Sequence, residues 1–239
     1  MAGEESIFTQ GRLEMSAAPL PGPQDLASWG ELLPNRIGVL LSVALMLLNL
    51  KDIIRLAPTL VYALDRVRGG IGLEYNVSKA RMRNDIALVS ALPFCLLLDR
   101  YAVYRPQFWG WISPVWSSAA TLGVVLAFIV LRLLCHKAIH VPRLGQDRTS
   151  AIYHGLFNFF IALCAILLPL VGILSVCTLS DSAIRLVILI GTGAAYTFSL
   201  VGEMKIFFNA GHSALRTILY LCGLEILPAA AVVASAVLL

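Results

Sequence analysis

Residues 149–180 run for 32 positions without an aspartate, glutamate, lysine or arginine. As a helix the run would reach about 48 Å at 1.5 Å per residue. The hydrocarbon core of a bilayer is roughly 30 Å thick. A helix that is apolar on every side has no stable place at a water-facing surface, so the run predicts a membrane crossing. Composition points the same way. Hydrophobic residues make up 59% of the chain and charged residues 13%, against about a quarter charged in an ordinary soluble domain. A soluble fold of this length could not cover its surface with so few charges.

Crossing a bilayer takes roughly 20 mostly apolar residues. Five stretches meet this readily: 37–56, 85–104, 114–134, 152–177 and 184–202. A sixth, 213–239, does so with Arg216 near its start and Glu225 near its middle. The sequence thus predicts an all-α, polytopic transmembrane bundle of six spans, or five if the second lies in the interface. Thirteen of the 18 lysines and arginines fall in the odd-numbered connections and five on the other side. By the positive-inside bias, both termini are expected outside.

Ile53, Ile54, Ala57, Leu60, Val61 and Leu64 recur at helical spacing after the first span, with Asp65, Arg66 and Arg68 beyond. They predict an amphipathic helix lying in the cytoplasmic interface. On the outer side, Trp109, Trp111 and Trp116 beside Tyr101 and Tyr104 predict an aromatic belt. Ala119, Gly123 and Ala127, and again Gly191, Ala195 and Ser199, form small-residue stripes suited to close helix packing.

Residues 1–33 include, in the first 30, Glu4, Glu5, Glu14 and Asp25 against Arg12, and they have no apolar core such as a signal peptide carries. With Pro19, Pro21 and Pro23, they are expected to form a poorly ordered tail before a single membrane domain, 34–239. The five cysteines (Cys95, Cys135, Cys164, Cys177 and Cys222) are scattered and include no Cys-x-x-Cys pair. They predict buried free thiols rather than a disulfide framework. The net charge of +4 is spread between apolar stretches, without the dense basic face of a nucleic-acid binder.

The string Ile218-Leu-Tyr-Leu-Cys-Gly-Leu-Glu-Ile-Leu-Pro228 resembles the closing signature of a bacterial inner-membrane family, domain of unknown function 4271. Leu167-Leu-Pro-Leu170 and Arg105-Pro106 are similar too, and the resemblance covers about residues 35–239. It implies a multi-pass protein of the bacterial inner membrane. It brings no activity, cofactor or site residues.

Glu225 is the first candidate for chemistry. It lies 12 residues past Ser213, about 18 Å into the span, where a bare carboxylate is costly. It should be protonated, paired or facing a wet cavity. Pro228, three residues on, removes the hydrogen bond to the Leu224 carbonyl. Asp99, Arg100 and Asn158 complete the expected intramembrane polar site. Asp99 and Arg100 are expected to snorkel into the headgroups, or Arg100 or Arg185 to turn toward Glu225. Asn158 reads as a hydrogen-bonding link between helices.

His136, His140, His154 and His212 all fall near the cytoplasmic surface. His136 and His140, at i and i+4, are weak metal-ligand candidates, with His154, His212 and Glu203 as further donors. No His-Glu-x-x-His signature accompanies them, and no cofactor is expected. Arg68-Gly-Gly-Ile-Gly72 lacks the ending of a phosphate loop. Lys79, Arg81 and Arg83 nearby are expected to bind anionic lipid headgroups. Leu-Pro steps at Pro93, Pro169 and Pro228 hint at three repeated hairpins.

Three functions fit these features. The first is a non-enzymatic scaffold or accessory subunit of a membrane assembly, with other membrane subunits or a second copy as partner. The second is a small transporter or channel, proton-coupled through Glu225. The third is a lipid-acting enzyme using the cytoplasmic histidines.

Overall fold

The computed structural model describes residues 26–65, 72–73, 75–138, 146–177, 179–211 and 213–238. Every regular element among them is helical. The chain runs α1 (Leu26–Glu31), α2 (Leu33–Leu48), α3 (Leu50–Asp65), α4 (Val77–Arg100) and α5 (Ser117–Ala138). It continues through α6 (Gln146–Val176), α7 (Asp181–Asn209), α8 (Ala214–Leu221), a π-helical turn (Cys222–Ile226) and α9 (Leu227–Leu238). Two 3-10 turns, Gln107–Trp111 and Pro114–Trp116, bridge α4 and α5.

Four of these helical stretches are long and apolar enough to cross a membrane: Pro114–Ala138, Ala151–Val176, Asp181–Asn209 and Ala214–Ala236. A fifth is reached if α2 and α3, bent by 66° at their junction, count as one span. The expected continuous first span thus breaks at Asn49. There Asn49 Nδ2 donates to the Leu45 carbonyl at 2.8 Å, and the Asn49 carbonyl accepts from the Ile53 N–H. The amide thus adds a second bond to a carbonyl that already accepts from the Asn49 N–H. α3 is amphipathic as expected, but its buried face is turned. Leu56 and Leu60 enter the core, while Ile54 and Val61 are exposed.

α4, which covers most of the expected second span, is not among these candidates. Lys79, Arg81, Arg83 and Asp85 occupy its first turns and Asp99 and Arg100 its end. The 13 residues between Asp85 and Asp99 cover only about 20 Å. It is nonetheless the centre of the bundle, touching α2, α3, α5 and α6. Phe94 and Leu98 meet Cys164, Leu167 and Val171 of α6 and Ile184 and Ile188 of α7 in the main core. Phe94 and Phe160 pack edge to face at 5.2 Å. A helix enclosed by other helices needs little apolar surface facing outward.

The α7 stripe packs as expected, with a Cβ on Gly191 within 3.4 Å of Leu167. The α5 stripe does not: Ala119, Gly123 and Ala127 all face outward. The aromatic cluster also divides. Trp111 and Trp116 are exposed, whereas Tyr101 and Trp109 are buried. The five cysteines are free, but only Cys95 and Cys164 are fully buried. Residues 1–25 lie outside the described residues. The end of the expected tail is helical, and Trp29 of α1 is buried.

Candidate functional site: a buried charge cluster and its adjoining cavity

Three helical segments bring titratable side chains to one place. α5 supplies Arg132 and His136, one turn apart and so on one face. α7 supplies Tyr196, Ser199 and Glu203, again on one face. The C-terminal span supplies Glu225 from the π turn. Pro228 has no N–H to continue the α-helical ladder, and just before it the Leu227 N–H reaches back five residues to the Cys222 carbonyl. Such single widened turns recur at functional sites. Tyr196 Oη donates to the Glu225 carbonyl at 2.9 Å, satisfying a backbone acceptor within that turn.

Arg132 is 3% exposed and Glu225 1%. Arg132 Nε lies 2.8 Å from both carboxylate oxygens of Glu225, and its Nη2 lies 2.6 Å from Oε1. Its Nη1 donates to the Tyr153 carbonyl at 2.6 Å. Its Nη2 also reaches the Ile152 carbonyl and Glu203 Oε1, each at 3.3 Å. His136 Nε2 sits 3.1 Å from Glu225 Oε1. The guanidinium also lies over the Tyr153 ring, 5.9 Å from its centroid. One guanidinium therefore faces two buried carboxylates, leaving room for one more positive charge.

Glu203, 2% exposed, also lines a cavity of about 130 Å³ between α6 and α7, closed at one side by Ala63 and Leu64 of α3. Asn158 and Ser199 line it too, and the exposed Lys205 lies at its edge. Asn158 Oδ1, Ser199 Oγ and Glu203 Oε2 are buried and make no hydrogen bond of full geometry within the protein, although the Ser199 hydroxyl interacts with the Glu203 carboxylate. Most buried polar atoms are paired. Three incompletely paired ones around one cavity mark it as a polar site.

Of the expected intramembrane site, Glu225 is central to the charge cluster, and Asn158 lines the cavity that Glu203 shares with that cluster. Asp99 and Arg100 belong elsewhere. Asp99 Oδ2 accepts from Trp29 Nε1 at 2.8 Å and from the hydroxyls of Ser117 and Ser118. Arg100 lies over the rings of Trp29 and Tyr101. Ser117 and Arg132 stand 15 residues apart on α5, about 22 Å, so the two clusters cannot meet. Asp99 is 5% exposed and does not snorkel, because Trp29, Ser117 and Ser118 supply donors inside the protein. Glu225 takes Arg132 as its partner, in place of Arg100 or Arg185.

The basic triplet also divides. Lys79 and Arg81 are exposed, and Lys79 Nζ donates to Thr59 Oγ1 at 3.0 Å. Arg83 is 0% exposed, and its Nε and Nη2 both donate to Asn84 Oδ1. It is thereby removed from the expected headgroup site. His136 is engaged with Glu225, and His154 packs at the ring of Tyr153. His140 and His212 lie outside the described residues. Among the described residues, no three His, Cys, Asp or Glu side chains converge as a metal site.

Arg132 and Glu203 were the residues that sequence reasoning missed as a site. Arg132 counted toward the basic connection after the third span, and Glu203 only as a donor to the histidines. Arg132 nevertheless lies before Leu133 and Leu134, inside that span. A charge so placed signals an interior partner.

The sequence profile of one family, described as Domain of unknown function (DUF4271), matches residues 85–235. This segment contains every residue of the cluster and cavity except Ala63 and Leu64. No curated protein and no solved structure matches the chain.

Proposed function

As the chain belongs to the family of Domain of unknown function (DUF4271), which carries no activity with it, we propose from its own chemistry that it transports protons across a membrane. The observation that carries this reading is the buried Arg132–Glu225 pair with Glu203 as a second, incompletely paired carboxylate. Removing such ions from water costs several kcal/mol each. Ionisable groups inside a membrane domain mark proton and ion pathways by default. A group serving only to hold helices together needs one satisfied hydrogen bond, not an incompletely paired carboxylate oxygen beside a cavity. Protons pass between Glu225 and His136, which touch, and between the Arg132-linked carboxylates Glu225 and Glu203.

In this reading the chain makes six crossings of a bacterial inner membrane, with α2–α3 as the first and the short, enclosed α4 as the second. Both termini lie outside, and the cluster sits in the cytoplasmic half. The basic-residue bias supports this orientation. Purified protein in liposomes carrying a pH-sensitive dye provides the test. Wild-type protein is expected to dissipate an imposed pH gradient, and Glu225→Gln to lose at least about tenfold of that rate. Equal rates in both, or none above empty liposomes, would overturn the reading.

One observation favours a scaffold role. The outward-facing Ala119, Gly123 and Ala127 of α5 suit close association with a helix of another subunit. Recovery solely as a monomer from mild detergent would count against it.

A further inference from the structure

The cavity beside the charge cluster asks for an occupant. Its incompletely paired atoms are an amide oxygen on α6, a hydroxyl on α7 and a carboxylate oxygen on α7. Their side chains are all more than nine-tenths buried. Asn158 lies one turn from Gly155, and Ser199 one turn from Glu203, so each helix turns one face to the cavity. Gly155 keeps that face open, since a Cβ there would come within 3.9 Å of Glu203 Oε1. Phe159, Phe198 and Ile206 supply apolar walls.

We propose that this cavity binds a monovalent metal cation of the alkali series, held by Asn158 Oδ1, Ser199 Oγ and Glu203 Oε2. Oxygen ligands of mixed type suit a hard cation. Charge selects the valence. Among the described residues Arg132 is the one permanently charged cation in contact with Glu225 and Glu203, while His136 carries charge only when it holds a second proton, so one positive charge in the cavity completes the site and two would overfill it. An anion would meet the Glu203 carboxylate. The Lys205 ammonium at the edge is the competing occupant within the chain. Coupling between this cation and the cluster passes through Glu203, which contacts Arg132 with one oxygen and lines the cavity. The use made of the ion rests on the transport reading, whereas its binding does not require flux.

The test is thermal unfolding of the full-length protein in detergent, at constant ionic strength, with choline chloride replaced stepwise by sodium or potassium chloride. Wild-type protein is expected to show a saturable rise in melting temperature with one of the two metals. Asn158→Leu should shift the half-saturating concentration at least about tenfold upward, as loss of one ligand to a charge implies. Glu203→Gln should abolish the response. Gly155→Ala leaves every ligand in place while narrowing the cavity, and should weaken binding even if the other two variants fail to fold. An identical melting curve in choline, or an equal response to magnesium, would overturn the proposal. So would a cation response that emerges only in Lys205→Met, since the lysine would then be the native occupant. Binding without proton flux would leave this site standing and remove the transport reading. Flux with no metal response would do the reverse.

Discussion

Arg132 and Glu225, 93 positions apart in the chain, face each other with Nε 2.8 Å from both carboxylate oxygens. Neither side chain is open to solvent. Breaking a buried pair from one side strands a charge and costs about 3–5 kcal/mol, whereas replacing both partners with apolar residues is often close to neutral. Arg132→Met is therefore expected to lower stability by about that amount. The double variant Arg132→Met/Glu225→Leu should recover at least about 1 kcal/mol of it while remaining inactive in proton flux. Denaturant unfolding in detergent, read beside the liposome assay, checks both halves. A double variant less stable than Arg132→Met would contradict the pairing.

Tyr196→Phe isolates the tie between α7 and the π turn. It removes one hydrogen bond, from Oη to the Glu225 carbonyl, and leaves the ring in place. The expected loss is about 1 kcal/mol, with hydrogen exchange accelerated at residues 222–227 and unchanged at α1. Uniform acceleration along the chain would refute a local role.

At the far end of α5, Asp99 anchors α1 through Trp29 and α5 through Ser117 and Ser118. Asp99→Ala leaves the buried Trp29 indole N–H unpaired, at about 1–3 kcal/mol, while the Ser117 and Ser118 hydroxyls keep the Pro114 carbonyl and Asn35 Oδ1 as acceptors. Trp29 should become accessible to aqueous quenchers while proton flux persists, because the two polar clusters are separate. Loss of flux with Trp29 still shielded would show that they are coupled.

Lys79 and Arg81 are expected to share the attraction of anionic lipids without Arg83. Each exposed basic residue near such a surface contributes about 1 kcal/mol. Lys79→Ala/Arg81→Ala should lower retention of anionic lipid in native mass spectra with little change in stability. Arg83→Ala should leave retention alone and destabilise the fold. Equal lipid loss in all three substitutions would restore Arg83 to the surface.

The helices were legible because lipid exposure imposes long uncharged runs, and residues 114–134, 152–177 and 184–202 fall, to within one residue, on the helical stretches Pro114–Ala138, Ala151–Val176 and Asp181–Asn209. Glu225 was legible for the same reason, since a carboxylate far from any span end stands out against that background. Its partner was less visible. Arg132 sits six residues before the end of α5, where a lysine or arginine usually reaches for headgroups, and only three-dimensional packing brings α5 against the π turn. α4 was read by its length, yet its enclosure by four helices depends on tertiary contacts that hydropathy does not encode. The break at Asn49 is hidden in the sequence because Leu47, Leu48 and Leu50 flank this single polar residue with apolar ones. The cavity at Asn158 and Ser199 was invisible for a similar reason. Each residue alone reads as a link between helices, and only their shared lack of full hydrogen bonds reveals the space between them.

The π turn before Pro228 has an effect well beyond Glu225. Each residue of an α-helix advances it by about 100°, so one residue accommodated in a widened turn offsets the azimuth of all that follows. Tyr104 of the α4–α5 connection meets Ser235 of α9 at 2.7 Å, and it does so only with that offset in place. Straightening this turn into plain α-helix with every residue kept would swing Ser235 by about 100° and part the two hydroxyls, whereas deleting one residue from 222–226 would let the turn close and keep them together. The last helix is thus keyed, like a shaft with one tooth of lead, to the connection between α4 and α5.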